Sequence, residues 1–381
     1  MVENKDKKVL NVPNLRFPEF EGEWEEHGLS EFLDFKNGLN PKPEKFGKGI
    51  KFISVMDILN NTIITYDSIK ACVDANNKEI DNYSVKMGDL LFQRSSETLE
   101  DVGRANVYMD EKPAIFGGFV IRGKKKGEYN PLFFKNLLET PFSRRKIIPM
   151  GAGAQHFNIG QEGLSKVKLY FAPINEQNKI AKILSLLDDR IFTQNKIIDK
   201  LESLIKGVTQ RIVYGNKPNT QIANCLKYSS SSLQENEVKE TGIYPVYGAN
   251  GIVGYLDSYS TKHEAIYIIK DGSGVGSVSY VTGECSATGT LNILEANKDF
   301  SLLYLYYILK IFNFNPYRTG MAIPHIYFKD YSKAKIFCPP YDKQVKYAKL
   351  LSAIEKKLIT EQKILDLISL QKQYLLRQMF I

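Results

Sequence analysis

From Ala172 to Val213 the apolar residues recur in alternating steps of four and three. Ile180, Leu184, Leu187, Ile191, Ile198, Leu201, Ile205, Val208 and Ile212 fall on one seam, with Gln194 the only polar intruder. This is the a/d pattern of a coiled coil, and it predicts a helix over 175–212, roughly 57 Å long at about 1.5 Å per residue. So long and narrowly striped a helix needs a partner, and the C-terminus supplies one. SKVKLYFAPINEQ (165–177) matches SKAKIFCPPYDKQ (332–344) at an offset of 167 residues. The same offset carries the first seam onto Tyr347, Leu351, Ile354, Leu358, Leu365, Ile368, Leu375 and Met379, and Gln194 onto Glu361. Ile205 falls on Lys372, the one failure. Asn175 and Asp342 read as helix N-caps. Two such seams bury each other in an antiparallel pair, with Gln194 and Glu361 fixing the register or leaving the seam for another protein.

The segments before each helix alternate in strand-like and helical runs. In the first half strands are expected at 51–58, 62–66, 90–92, 115–123 and 166–173, and 29–35 reads as a short helix or strand. PLFFKNLLETPFSRRKII (131–148) reads as helix, followed by the glycine-led turn GAGAQHFN (151–158). The second half repeats this in kind. It has a polar loop at 229–232, a strand at 264–270, the loop DGSGVGS (271–277), and the run ATGTLNIL (287–294). A helix at 301–312, the turn GMAIPHIY (320–327) and the closing run 332–340 complete it. The turns align His156 with His325. Without regular βαβ alternation the expected class is α+β: two tandem globular domains joined by a long antiparallel two-helix coiled coil, as a pseudo-two-fold internal repeat.

The 381 residues suffice for two or three domains, and 43% apolar residues can fill their cores. A net charge of +8 leans toward polyanions. Cys72, Cys225, Cys285 and Cys338 form no CxxC pair, which argues against a zinc or disulfide framework and fits a reducing cytosol. The N-terminal stretch is charged, without an apolar signal core, and the apolar run 302–309 is too short to span a bilayer. A cytoplasmic location with no membrane contact is therefore expected. DGSGVGS lacks the Gly-Lys-Ser/Thr ending of a Walker loop. CPPYD (338–342) resembles an amino-methyltransferase motif, but Cys338 cannot hold a target amine as an amide or carboxylate does. No nuclease-like acidic cluster with a partner lysine is evident, so the chain reads as a binder. Duplex DNA, itself pseudo-two-fold, suits two readers on a rigid spacer. The alternative is a bivalent protein–protein scaffold without DNA binding.

The chain resembles the specificity subunits of type I restriction–modification enzymes over nearly its whole length. The resemblance rests on the opening RFPEFEGEW (16–24), on GDLLFQRSS and AIYIIKDGSGVG, and above all on the doubled P-x-Asn/Asp-x-Gln. That signature stands at Pro173, Asn175 and Gln177, and again at Pro340, Asp342 and Gln344. It implies target-recognition domains at 1–173 and 215–340, with spacer helices at 174–214 and 341–381. Each domain would read one half of an asymmetric split site in double-stranded DNA. The helices would set the spacing and dock two methyltransferase (modification) subunits, which restriction subunits join. No cofactor is expected in this chain: S-adenosylmethionine, ATP and Mg²⁺ would belong to the partners. Arg94, Ser96, Arg104, Gln155, His156 and Asn158 are expected to face one half-site, and Lys270, Ser273, Ser277, Arg318, His325 and Tyr327 the other. Spacing and docking are expected of Ile180, Leu184, Leu187, Ile191, Gln194, Ile198 and Leu201, with Leu351, Ile354, Leu358, Glu361, Leu365 and Ile368 opposite.

Overall fold

A computed structural model describes residues 10–320 and 323–381. Residues 1–9 of the leader, and Met321 and Ala322 of the second glycine-led turn, lie outside the described residues. The chain divides into two units, residues 1–193 with 365–381 and residues 194–364. Both long helices run through both units: the central helix Ile174–Tyr214 and the C-terminal helix Tyr341–Gln378. Each helix starts one residue before its expected cap, so Asn175 and Asp342 lie within the first turn rather than at the N-cap. The residues that tie the helix starts down are Gln177 and Gln344, described below.

The first unit is built on a four-stranded antiparallel sheet in the order 33–37, 120–125, 90–93, 105–107. A second sheet orders 72–73, 46–53, 114–116 and 84–85, with 46–53 and 114–116 parallel. The single strand expected over 115–123 is two strands, in different sheets, because Gly117-Gly118 turns the chain between them. The run 51–58 leaves the strand at Ile53 and becomes helix Val55–Asn60, where Ser54 and Asp57 form a capping box. Residues 62–66 form no strand: the chain bends there, with one isolated bridge from Ile64 to Tyr108. Thr140-Pro141 splits the expected helix into Pro131–Glu139 and Pro141–Ile147. The segment 29–35 is both things at once: helix Leu29–Phe32, then a strand from Leu33.

The second unit repeats this plan. Its sheet orders 226–230, 291–296, 264–269, 278–282, all antiparallel. A satellite sheet again holds a parallel pair, 244–248 beside 286–287. The expected polar loop at 229–232 begins as the end of strand Leu226–Ser230. In each unit one helix packs on the sheet, Pro131–Glu139 or Leu302–Lys310, and a short strand, Lys168–Phe171 or Lys335–Ile336, delivers the chain to the long helix.

The doubled signature now has a physical meaning. Gln177 accepts from the backbone N of Asn130 at 2.9 Å and donates to the Ala172 carbonyl at 2.8 Å. Gln344 accepts from Ser301 N at 2.9 Å and donates to the Pro339 carbonyl at 2.8 Å. Asn130 and Ser301 are the N-caps of the two sheet-packed helices. One buried amide therefore clamps the start of each long helix to the start of a helix in its domain. Glu176, beside Gln177, is fully buried and bonds Arg16 at 2.8 Å and Trp24 Nε1 at 3.3 Å. That contact is why RFPEFEGEW opens the fold.

Within each unit the two long helices run antiparallel. In the first, Ile180 and Leu184 share a core with Trp24, Phe133, Met379 and Phe380. Lys372, the break in the seam, is half-buried and bonds Asp188 at 2.6 Å. In the second, Ile205 and Ile212 pack with Ala348 and Leu351. There Gln194 Nε2 donates to the Glu361 carboxylate at 2.5 Å and to its carbonyl at 2.9 Å. Cys225 and Cys338, distant in sequence, meet as buried thiols 3.6 Å apart. Their mutual contact, then burial, pushes the Cys338 thiol up.

Candidate nucleic-acid interface

In each unit the loop that leaves one central strand is crossed by the glycine-led turn that precedes the long helix. In the first unit Gln93 N donates to Arg104 O at 2.7 Å, Gly103 N to Gln93 O at 2.9 Å, and Ile159 N to Arg94 O at 2.9 Å. In the second unit Ile269 N donates to Ser277 O at 3.0 Å, Gly276 N to Ile269 O at 2.9 Å, and Ile326 N to Lys270 O at 2.9 Å. The turn closes on itself the same way, Ala152 exchanging both backbone bonds with Asn158, and Thr319 with His325. Arg94 N reaches Phe119 O at 2.9 Å, and Lys270 N reaches Thr290 O at 3.0 Å. Gly153 and Gly320 both take positive φ, where a Cβ would overlap the carbonyl oxygen of His156 or Ile323.

This backbone match corrects the register of the turns. His325 stands opposite Asn158, at the same offset of 167 as the helices, and His156 stands opposite Ile323. The expected pairing of His156 with His325 is thus two residues out of step, because a shared His does not mark the backbone register.

The side chains on this common scaffold differ. Ser95 Oγ bonds Asn158 Oδ1 at 2.5 Å, and Asn158 Nδ2 bonds the His156 carbonyl at 3.2 Å. In the same place Asp271 Oδ1 and His325 Nδ1 lie 2.7 Å apart, each about one-third exposed. Gln155, His156 and Asn158 are exposed in the first unit, as are Ser273, Ser277 and Tyr327 in the second. Arg94 and Lys270 are half-buried, and Arg94 Nη1 donates to Gly118 O at 3.2 Å. Arg104 bonds Asp101 at 2.6 Å, and Thr98 with Arg104 holds that carboxyl below its ordinary value. Ser96 is buried and accepts from Thr98 N at 3.2 Å, so its hydroxyl serves the turn.

Arg318 Nη2 donates to Val275 O at 2.7 Å. Arg144 donates to Val102 O, also at 2.7 Å, and Val102 is the counterpart of Val275 in the loop. Both arginines thus staple the loop after the central strand, and burial lowers the Arg144 guanidinium to about 10. Sequence reading passed over Arg144 because it lies in an ordinary basic helical run and is not at the repeat offset from Arg318.

Beside the first loop lies a groove of about 800 Å³, lined in part by Phe46, Phe52, Met56, Phe119 and His156. Phe119 is 67% exposed. Gln93, which also lines the groove, is buried with its Oε1 lacking a hydrogen-bond partner. Among the described residues no group of three or more His, Cys, Asp or Glu is arranged to hold a metal ion. No helix among them is long and apolar enough to cross a membrane.

The model of the type I restriction modification DNA specificity domain matches residues 21–203 and again 219–370. The chain belongs to that specificity-subunit family. It is 26% identical over 210 residues to a putative type I restriction enzyme MjaX specificity subunit of Methanocaldococcus jannaschii, covering 54% of this chain and 49% of that protein. It is also 26% identical over 117 residues to the type I restriction enzyme EcoprrI specificity subunit of Escherichia coli, covering 31% and 29%. The chain thus spans half or less of the length of these relatives. The crystal structure of a type I restriction–modification S subunit from M. genitalium superposes with a TM-score of 0.68 at 17% identity, covering 97% of this chain and 99% of that one. A second chain, from a study of complex assembly and conformational transition of the type I system, matches with a TM-score of 0.53 at 14% identity, covering 93% and 96%. These structures share the fold: two α+β domains and paired long helices.

The seam residues are largely consumed by helix pairing. Ile180, Leu184, Ile198, Leu351 and Ile368 are buried, as are Gln194 and Glu361, while Leu187, Ile191, Leu201, Ile354, Leu358 and Leu365 are half-buried. The exposed apolar residues of the helices are others. Leu186, Leu367 and Leu370 stand out in the first unit, and Leu204, Leu350 and Ile359 in the second.

Proposed function

We propose that this chain is the DNA-recognition subunit of a type I restriction–modification complex, each domain reading one half of an asymmetric split site in double-stranded DNA. The observation that best supports this reading is the duplicated loop crossing. Its backbone hydrogen bonds recur in both domains, while Arg94, Ser95, Arg104, Asn158 and Phe119 are replaced by Lys270, Asp271, Ser277, His325 and Thr290. A packing role would hold the side chains as constant as the scaffold. A reading role varies them, since base edges are distinguished by the donor and acceptor groups set against them. Lys and Arg on these loops suit phosphates or guanine, and Asn suits adenine.

In this reading the paired helices, each about 60 Å long at ~1.5 Å per residue, set the distance between half-sites. The seam holds the helices together, and the outward apolar residues of each unit dock one methyltransferase subunit. Restriction subunits join that core, and S-adenosylmethionine, ATP and Mg²⁺ belong to these partners. The chain itself recognises and positions, and carries out no chemistry.

Exchanging residues 1–173 for the matching domain of a homologous specificity subunit, and mapping methylated sites in cells carrying the complete complex, tests the reading. One half-site changes and the other is retained. A change in both half-sites, or in neither, refutes it. So does the absence of salt-dependent duplex binding by the complex, which is what a scaffold without DNA contacts gives.

A further inference from the structure

The point where the two loops cross holds one hydrogen-bonded side-chain pair in each domain: Ser95 with Asn158, and Asp271 with His325. Both pairs join the same two backbone positions. Ser95 and Asn158 are β-partners, and so are Asp271 and His325. Each pair is fixed underneath by the bonds through Arg94 O and Ile159 N, or Lys270 O and Ile326 N. The scaffold is constant and the chemistry of the pair is not.

The two pairs present different groups. A carboxylate only accepts hydrogen bonds, so the proton of the His325–Asp271 bond sits on Nδ1. In the neutral imidazole that leaves Nε2 as a bare acceptor, suited to the exocyclic amino group of adenine or cytosine. In the first domain Ser95 takes one lone pair of Asn158 Oδ1, and the His156 carbonyl takes one N–H. Asn158 therefore retains one donor and one acceptor, the combination that adenine N7 and N6 complement.

We propose that this pair is an interchangeable base-reading unit, one per half-site, in which Asn158 and His325 contact the base while Ser95 and Asp271 position them. The inference rests on the DNA-recognition reading above. It assigns roles to Ser95 and Asp271, and it makes the two members of each pair function only together.

The test exchanges the pairs within the intact subunit, assembled with its methyltransferase subunits. Methylated motifs are mapped for the wild type, for S95D/N158H and for D271S/H325N. S95D/N158H alters one position of half-site one and leaves half-site two as it was; D271S/H325N does the converse. At the altered position, selectivity for the original base falls about tenfold or more, the range expected for loss of a base-specific pair. D271N, which keeps an acceptor on Nδ1–H, retains the parental motif, whereas D271A relaxes the position His325 reads. Two exchanges give the test a second chance should one variant fold poorly. If the exchanged variants methylate the parental motif with parental selectivity, or alter both half-sites, the inference is overturned. A wild-type complex that marks no split motif overturns the recognition reading itself, and the inference with it.

Discussion

Removing the Gln344 clamp should unseat the start of the C-terminal helix from its domain. Gln344 is 2% exposed, and its amide satisfies the Ser301 N–H and the Pro339 carbonyl at 2.9 and 2.8 Å. Truncation to alanine leaves both backbone groups without a partner in a site too enclosed for easy hydration. Each orphaned group costs about 1–3 kcal/mol, the more buried Pro339 carbonyl toward the upper end, so the total is about 2–4 kcal/mol. For a unit of this size that lowers the calorimetric midpoint by roughly 6–12 °C. The loss is local before it is global. Hydrogen exchange should accelerate first at Ser301 and Tyr304, where the cap of helix Leu302–Lys310 sits. Q344E keeps the acceptor for Ser301 and sets a carboxylate against the Pro339 carbonyl, so it falls at least as far as half of the alanine loss. Q177A should behave alike in the first unit through Asn130 and Ala172. A Q344A protein within about 0.5 kcal/mol of wild type, or one whose exchange rises elsewhere first, refutes the clamp.

Two further outcomes follow from the helices. L367K/L370K replaces side chains that are 66% and 60% exposed, so stability should change by no more than about 0.5 kcal/mol, while co-purification with the methyltransferase subunit is lost. Unimpaired assembly would move the docking face elsewhere. Glu355 bonds Tyr307 at 2.7 Å and Lys310 at 3.0 Å; burial works against its ionisation, but these bonds outweigh it and hold the carboxyl below its ordinary 4.5. Its contribution is thus complete above the unfolded value and is lost as pH falls through the lower folded one. E355Q should cost about 1–3 kcal/mol near neutral pH, and urea unfolding at falling pH should show the gap to wild type narrowing.

The long helices were legible in the sequence because a seam repeated every seven residues has no other solution, and because the offset of 167 recurs residue by residue. Even the seam's failure at Lys372 has a local cause in Asp188. The globular domains were less legible. A run such as 115–123 is apolar but for Arg122, and only the Gly117-Gly118 turn, packed against Asn40 and Phe52, divides it between two sheets. Residues 62–66 are β-rich in composition but bury Ile64 through a single isolated bridge in a bend, so tertiary packing overrides propensity there. The two loops were recognisable as equivalents because each follows a strand, but the residue register between them was hidden because it lies in backbone hydrogen bonds. Arg94 and Lys270 are not at the helical offset, and neither are Arg144 and Arg318.

Gln194 and Glu361 carry the repeat one step further. They occupy equivalent positions in the two halves, and they bond to each other. In an antiparallel pair of equivalent helices, a residue meets its own counterpart at one level only. Gln194 to Glu361 is that level. Glu361 is also held by Lys357 at 2.7 Å, and the Lys357 and Gln194 bonds keep its carboxyl below the ordinary value. An all-leucine layer here would bury more apolar surface, but it would equally accept a slip of one heptad along either helix. A Gln–Glu pair is satisfied in one register alone, because any slip leaves both polar groups facing apolar side chains. The cost in stability therefore secures a single helix overlap, and in the proposed function a single spacing between the two half-sites.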